Sequence, residues 1–296
     1  MKKIKNSNCK ILSNDTNDRL NNQKFFTTDD NFEKIIKSYY KKPTEISQVK
    51  TGWTNFVFKV NNGKNIYFFR FPRNDFFSDA LVKEYNFSKF INGKISFRVA
   101  KLRLKFNLGR PFTIHRGIVG ESLSDCYNNL SEKEKNKLAK DIIKLISEFR
   151  EINYSKFPDT DFQKVSNFLD NLSNVSQNDY DLSKHNFLKH LEDNNLTISH
   201  GDLNPGNLIL KKHKLVAVID FAFAGISSDL VDISRIVGRT PEEFKTKIAK
   251  AYKEKFQTEI DLKSIENLEK TWAYVEEKYI LYIKQNHPTI VLPNLV

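Results

Sequence analysis

The sequence predicts an α+β chain of two lobes, a small antiparallel-sheet N-terminal lobe and a larger, mainly helical C-terminal lobe. Three observations carry this expectation. A chain of 296 residues exceeds one ordinary core. Short alternating runs rich in β-branched and aromatic residues crowd the stretch from about 49 to 71. Beyond Gly120 the apolar spacing turns helical.

Taken in order, residues 1–27 are rich in Asn, Lys, Asp and Ser and lack periodicity, so they read as a polar extension. The N-lobe is expected over 28–117 and the C-lobe over 118–296. A first helix is expected from Thr28, with Phe32, Ile35, Ile36 and Tyr39 on one face, Asp29 and Asp30 near its N-terminal dipole, and Pro43 at its end. Val49, Trp53 to Val60 and Ile66 to Phe71 read as strands, with Asn61-Asn62-Gly63 as a hairpin turn. In the C-lobe, Leu130 to Ile152 carries Leu138, Ile142, Leu145, Ile146 and Phe149 on an apolar stripe. Phe162 to Leu172, Leu182 to Leu191 and about Ile260 to Ile283 read as further amphipathic stretches. His185 and His190 are five apart on one of these, so they diverge and make a poor metal pair.

The most informative segment is His200-Gly-Asp202-Leu-Asn-Pro-Gly-Asn207-Leu-Ile-Leu210, followed by Val218-Ile-Asp220-Phe221. Leu208 to Leu210 and Lys214 to Ile219 read as two strands of a hairpin, which returns the chain to its start. Asn207 just before it and Asp220 just after it would then lie side by side and offer oxygen ligands to a hard cation. Asp202, one turn earlier, is left to meet a substrate hydroxyl. The D-x-x-x-x-N spacing and the following Asp-Phe are those of a phosphoryl-transfer loop. His200 is expected to brace that loop by hydrogen bonding rather than to act as a base.

These residues resemble the aminoglycoside phosphotransferase and choline kinase family, the small-molecule branch of the protein-kinase-like fold. The likeness extends from Thr51-Gly-Trp-Thr-Asn55 through Tyr67-Phe-Phe-Arg70-Phe-Pro72 and Pro111 to Gly120, and on to Asp229-Leu-Val-Asp232-Ile, covering about residues 45 to 235. Gly201 and Phe221 favour the antibiotic-kinase-like branch. The resemblance implies transfer of a γ-phosphoryl group from ATP or GTP to a hydroxyl of a small molecule. Asp202 would be the catalytic carboxylate, and Asn207 and Asp220 would hold Mg2+. It also implies a nucleotide site: Gly52, Thr54 and Asn55 in a phosphate-covering turn, Arg70 paired with Glu84 beside the phosphates, and the backbone at Arg116 to Ile118 reading the base. Arg70 departs from the Lys usual in antibiotic kinases. Asp232 would bond the catalytic-loop backbone, whereas Asp229 is equally explained as a helix cap.

Composition sets bounds on other readings. Cys9 and Cys126 form no metal spacing, and with no signal-peptide pattern this points to the cytoplasm. No stretch approaches a membrane-spanning length. The formal charge of +12 invites a nucleic-acid reading, yet the lysines are spread along the chain without an arginine-rich or aromatic RNA-binding motif. A solvated lysine surface is the expectation. In this basic chain, Glu266, Glu269, Trp272, Tyr274, Glu276 and Glu277 concentrate carboxylates and aromatics on one helix. Trp272 and Glu276 are the expected contacts of an amine-bearing acceptor, although the same stretch also makes an ordinary apolar stripe. A choline or ethanolamine kinase is the alternative, with Trp272, Tyr274 and Tyr279 as its aromatic cage. Oligomeric state is left open.

Overall fold

The computed structural model describes residues 25–40, 45–49, 54–156 and 196–286. The expected amphipathic stretches at 162–172 and 182–191, Gly52 of the phosphate-covering turn, and Pro43 lie outside the described residues.

The N-lobe is a five-stranded sheet built from β1 (Glu45–Val49), β2 (Asn55–Asn61), β3 (Ile66–Pro72), β5 (Arg103–Asn107) and β6 (Arg110–Arg116). Its order is β1-β2-β3-β6-β5, with every neighbour antiparallel. Alternation along β3 divides it cleanly. Phe69 and Phe71 are buried on the outer face, where they stack with Phe112 and meet Phe32 and Ile36 of α1 (Phe32–Tyr39). Ile66, Phe68 and Arg70 point the other way, as period-two geometry requires.

Three expectations for the N-terminus need correction. Residues 1–27 do not end as a polar extension: Phe26 is 1% exposed, its ring lies 4.9 Å from that of Phe71, and its N–H donates to Pro72 O at 2.8 Å. Two adjacent aromatics, Phe25 and Phe26, in a polar stretch have no periodicity to betray which is buried. The helix starts at Phe32 rather than Thr28, capped by Asn31. Asp30 does not serve the helix dipole but receives both Nη atoms of buried Arg110, at 2.7 and 2.9 Å. A buried guanidinium needs that partner more than a helix end does.

α2 (Asp75–Ile91), N-capped by Asn74, packs across β3 and β6, and leads to β4 (Arg98–Val99). β4 runs parallel to β10 (Lys214–Val218), which ties this segment to a second sheet containing β9 (Leu208–Lys211) and β7 (Glu121–Ser122), in the order β4-β10-β9-β7. After β7 (Glu121–Ser122) and the short α3 (Leu123–Cys126), α4 (Glu132–Glu151) opens on a reciprocal Ser131–Glu134 capping box. It buries the expected Leu138, Ile142, Leu145, Ile146 and Phe149. β8 (Thr197–Ser199) pairs with β11 (Gly225–Ser227), and β9 (Leu208–Lys211) with β10 (Lys214–Val218), the hairpin expected from sequence. α5 (Asp229–Val237), α6 (Glu242–Phe256) and α7 (Leu262–Asn286) complete the described C-lobe. Asp229 is not the cap of α5, a role taken by Ser228; it is buried against Arg150 and Tyr252. Among the described residues no helix is long and apolar enough to cross a membrane.

Candidate active site

The candidate catalytic loop runs from β8 to β9 and is held from behind. Asp232 of α5 is fully buried and accepts the N–H groups of His200 (2.9 Å) and Gly201 (3.0 Å). Burial raises its pKa to about 7 despite those donors, which pull it down. Gly201 has φ +77°, and a side chain there would meet the Phe223 carbonyl oxygen at 2.0 Å, so only glycine fits between loop and β11 approach. His200 is buried, and burial lowers its pKa, so it stays neutral. Its Nε2 lies 2.8 Å from Ile219 O, and its Nδ1 accepts the Asp202 N–H at 3.3 Å. One tautomer, protonated at Nε2, satisfies both contacts. The histidine joins the catalytic loop to the strand end that carries Asp220, the bracing role the sequence suggested.

Asn207 ends a short 3-10 turn, Pro205–Asn207, and its backbone carbonyl accepts the Ile219 N–H at 3.0 Å. This contact places Asn207 beside the start of the Asp220 segment. Its amide nitrogen turns inward to Asp202 O (2.8 Å) and Asp202 Oδ2 (3.2 Å), leaving Oδ1 as its remaining donor atom for a ligand. Asp220 adopts φ +64°, a left-handed conformation that aspartate tolerates better than most residues. Its carboxylate is 48% exposed. The following Phe221 is 2% exposed and packs against Phe87 of α2 and the His200 ring. That aromatic anchor lets the aspartate project while its neighbour is locked.

From the N-lobe, Arg70 donates Nη1 to Glu84 Oε1 at 2.7 Å and Nη2 to Asp220 Oδ1 at 3.4 Å. Burial works against the Arg70 charge, but the Glu84 and Asp220 carboxylates outweigh it and hold its pKa above the ordinary value. Burial raises the Glu84 pKa, with Arg70 opposing. The expected Arg70–Glu84 pair is therefore present, and the same cation reaches the C-lobe carboxylate.

Asn207 and Asp220 fit a hard divalent cation. They supply one amide and one carboxylate oxygen, too few for an all-protein cage, and among the described residues no group of three His, Cys, Asp or Glu side chains could hold a metal. A sparse oxygen set of this kind suits Mg2+ completed by phosphate and water.

Other sequence-derived residues divide. Thr54 precedes β2 and is half-buried, but Asn55 is 4% exposed and donates its side-chain amide to Thr54 Oγ1 at 2.8 Å. In this arrangement Asn55 braces the turn, and the β2–β3 register, with Val57 opposite Arg70, sets it on the Arg70 face of the sheet. A cavity of about 510 Å3 is lined by Lys59, Ile66, Phe68 and the 116–120 linker, which includes Arg116 and Ile118. The Gly117 N–H is used by Ile66 O at 2.8 Å, and Arg116, the last residue of β6, pairs with Tyr67 of β3. His115 stacks on Phe68 (5.4 Å, 17°), and burial together with the nearby Arg70 charge lowers its pKa to about 4. The Trp272 and Glu276 side chains lie outside the described residues, though both positions fall on α7.

Sequence reasoning missed Arg235. It is fully buried on α5, donates to Asp202 Oδ1 at 2.9 Å, and reaches Glu269 Oε1 on α7 at 3.0 Å. The available signal was a cation inside Leu230-Val-Asp-Ile-Ser-Arg235-Ile-Val237, a helix stretch mainly of Val, Ile and Leu that could bury a charge only against an anion.

A two-lobed chain whose N-lobe cation meets a C-lobe Asp–Asn–Asp constellation defines a phosphotransferase of the kinase-like fold. The family model for the phosphotransferase enzyme family matches residues 45–266, and the chain belongs to that family. No curated protein matches it by sequence. Among solved structures, it is similar to APH(2")-IIia in complex with GDP and kanamycin, at 18% identity over 86% of this chain and 92% of that one (TM-score 0.69). ADP-bound aminoglycoside phosphotransferase APH(2'')-Ib is 21% identical, covering 85% and 90% (TM-score 0.62). Macrolide 2'-phosphotransferase MphH from Brachybacterium faecium, an apoenzyme, is 11% identical over 85% and 92% (TM-score 0.60). The shared fold is clear at these scores; the sequences have diverged widely.

Proposed function

We propose that this enzyme transfers the γ-phosphoryl group of ATP or GTP to a hydroxyl of an amine-bearing small molecule, with Mg2+ held by Asn207 and Asp220. The observation that carries the reading is the 3.4 Å approach of Arg70 to Asp220, which brings the nucleotide-side cation and the catalytic-loop hairpin to one point. When bound, Mg2+ would supply neutralisation of the phosphate charge. Asp202 orients the acceptor hydroxyl and takes its proton, while Arg70, kept charged by Glu84, stabilises the phosphates. Thr54 and the turn containing Gly52 cover them. The base lies in the cavity along Arg116 to Ile118. Nucleoside triphosphate is supplied in the cytoplasm, where we place the reaction.

Support for an amine-bearing acceptor is of two kinds. Similar structures are complexes with kanamycin, streptomycin and gentamicin. The α7 sequence concentrates Glu266, Glu269, Glu276 and Glu277 with Trp272 in an otherwise basic chain, and Trp272 and Glu276 are the contacts we assign. Steady-state nucleotide consumption with aminoglycosides, macrolides, choline, ethanolamine and neutral sugars, each with ATP and with GTP, tests the reading. Acceptor-dependent turnover with an aminated alcohol is expected. Turnover only with neutral sugars would overturn the amine assignment, and no acceptor-dependent turnover at all would overturn phosphotransfer to a small molecule.

A further inference from the structure

The carboxylate of Asp202 is not held by its own loop alone. Arg235 donates Nη2 (2.9 Å) and Nε (3.3 Å) to the same oxygen, Asp202 Oδ1, and Nη1 (3.0 Å) to Glu269 Oε1. Its side chain is 0% exposed, against 21% for Asp202 and 12% for Glu269. A fully buried guanidinium is tolerated only where carboxylates compensate it, and here two from distant parts of the chain share one cation. The planar fork fixes direction as well as charge. With Oδ1 occupied, Oδ2 is the oxygen left to face a substrate, and Asn207 Nδ2 steadies it at 3.2 Å. The opposite end of the bridge is equally constrained. A Cβ on Gly238, at the end of α5, would lie 2.2 Å from Glu269 Cγ, so α5 and α7 touch there and hold the Glu269 stem in place. Arg239 Nε approaches the same Oε1 at 3.5 Å.

We propose that Arg235 is a positioning residue for phosphoryl transfer, holding Asp202 so that Oδ2 meets the acceptor hydroxyl, and that Glu269 holds Arg235. The inference rests on the function proposed above and adds to it a chain from α7 to the base. In the step it serves, the acceptor oxygen bonds to the γ-phosphorus and its proton passes to Asp202 Oδ2. The bond between the γ-phosphorus and the bridging oxygen breaks, and its electron pair leaves with the nucleoside diphosphate. Arg235 touches none of these atoms; it acts by aiming Asp202. Misplacing a reacting group by about 1 Å can cost on the order of 100-fold in rate.

The test compares wild type, Arg235→Lys, Glu269→Gln, Asp202→Asn and the Asp202→Asn/Arg235→Lys double variant. Transfer is followed in single turnover with enzyme in excess, and nucleotide affinity by calorimetry. A lysine keeps the charge but cannot fork to Oδ1 while reaching Glu269. Arg235→Lys should therefore lower the transfer rate at least tenfold with nucleotide affinity within about twofold of wild type, and Glu269→Gln should show a smaller fall of the same kind. Because Arg235 acts through Asp202, adding Arg235→Lys to Asp202→Asn should slow transfer no further. Full additivity in the double variant, or a loss of nucleotide affinity matching the loss of rate, would make Arg235 merely structural and overturn the inference. Should Arg235→Lys fail to fold, a wild-type rate in Glu269→Gln overturns it instead. A wild-type chain that transfers to no acceptor overturns the proposed function, and the inference with it; transfer by wild type and by Arg235→Lys at equal rates overturns the inference alone.

Discussion

Replacing Arg70 by methionine separates the two carboxylates it serves. Glu84 is 3% exposed and bonded at 2.7 Å, whereas Asp220 is 48% exposed and 3.4 Å away. Removing the cation strands the buried Glu84 carboxylate, and breaking a buried pair on one side costs about 3–5 kcal/mol. The Asp220 contact, at a half-exposed group, contributes at most about 1 kcal/mol. Stability should thus respond to the Glu84 side of the bridge, and nucleotide binding to the Asp220 side. Arg70→Met should lower unfolding free energy by about 3 kcal/mol or more, while Arg70→Met/Glu84→Met, which removes both charges, should recover most of it. The pH dependence gives a second handle. Without Arg70, burial and the Asp220 charge raise the Glu84 pKa against only the Phe221 backbone hydrogen bond, so the folded state holds a proton that the unfolded chain has lost, and the penalty grows as pH rises above about 4.5. Urea unfolding at pH 5 and pH 7.5 checks both points, with calorimetry of Mg-nucleotide binding alongside. A loss below about 1 kcal/mol at pH 7.5, or a double variant as unstable as the sum of the singles, would refute the reasoning.

Other outcomes follow from the same geometry. Asp202→Asn should remove nearly all transfer activity while nucleotide affinity is retained; turnover near the wild-type rate would exclude Asp202 as the base. Asp220→Ala should abolish or greatly weaken the Mg2+-dependent part of nucleotide binding, read by calorimetry with and without chelator, and unchanged affinity would dismiss the metal assignment. His115, lowered to about 4 by burial and by Arg70, should destabilise the fold as pH falls: below 6.5 the unfolded chain takes up a proton that the folded one refuses until about pH 4. The loss amounts to about 1–3 kcal/mol, and unfolding curves between pH 7 and pH 4 should flatten by that amount in His115→Gln. Phe26→Ala should cost about 3–5 kcal/mol by opening the outer N-lobe core, measured as the fall in urea midpoint; a change within 0.5 kcal/mol, the order of a surface substitution, would mean that Phe26 does not anchor that core.

Sequence by itself determined the parts of this protein whose chemistry is local. The hairpin between Asn207 and Asp220 follows from two short apolar runs around a polar turn, and the turn geometry alone brings the two oxygen donors together. The α4 stripe was legible for a like reason, since a helix period fixes which side chains share a face, whereas the Arg70–Glu84 pairing, between a strand and a helix, was expected only from the family resemblance. Tertiary structure decided what periodicity cannot encode. Asp220 projects half-exposed because Phe221 is pinned between α2 and His200, a contact between segments more than a hundred residues apart. Phe26 enters the core from a stretch with no pattern, and Asp30 serves Arg110 instead of a helix end. Asp202, Arg235 and Glu269 lie on three separate elements, and only their packing reveals that one buried cation bridges them. A buried charge must find its partner wherever the fold brings it, and that distance is measured in space, not along the chain.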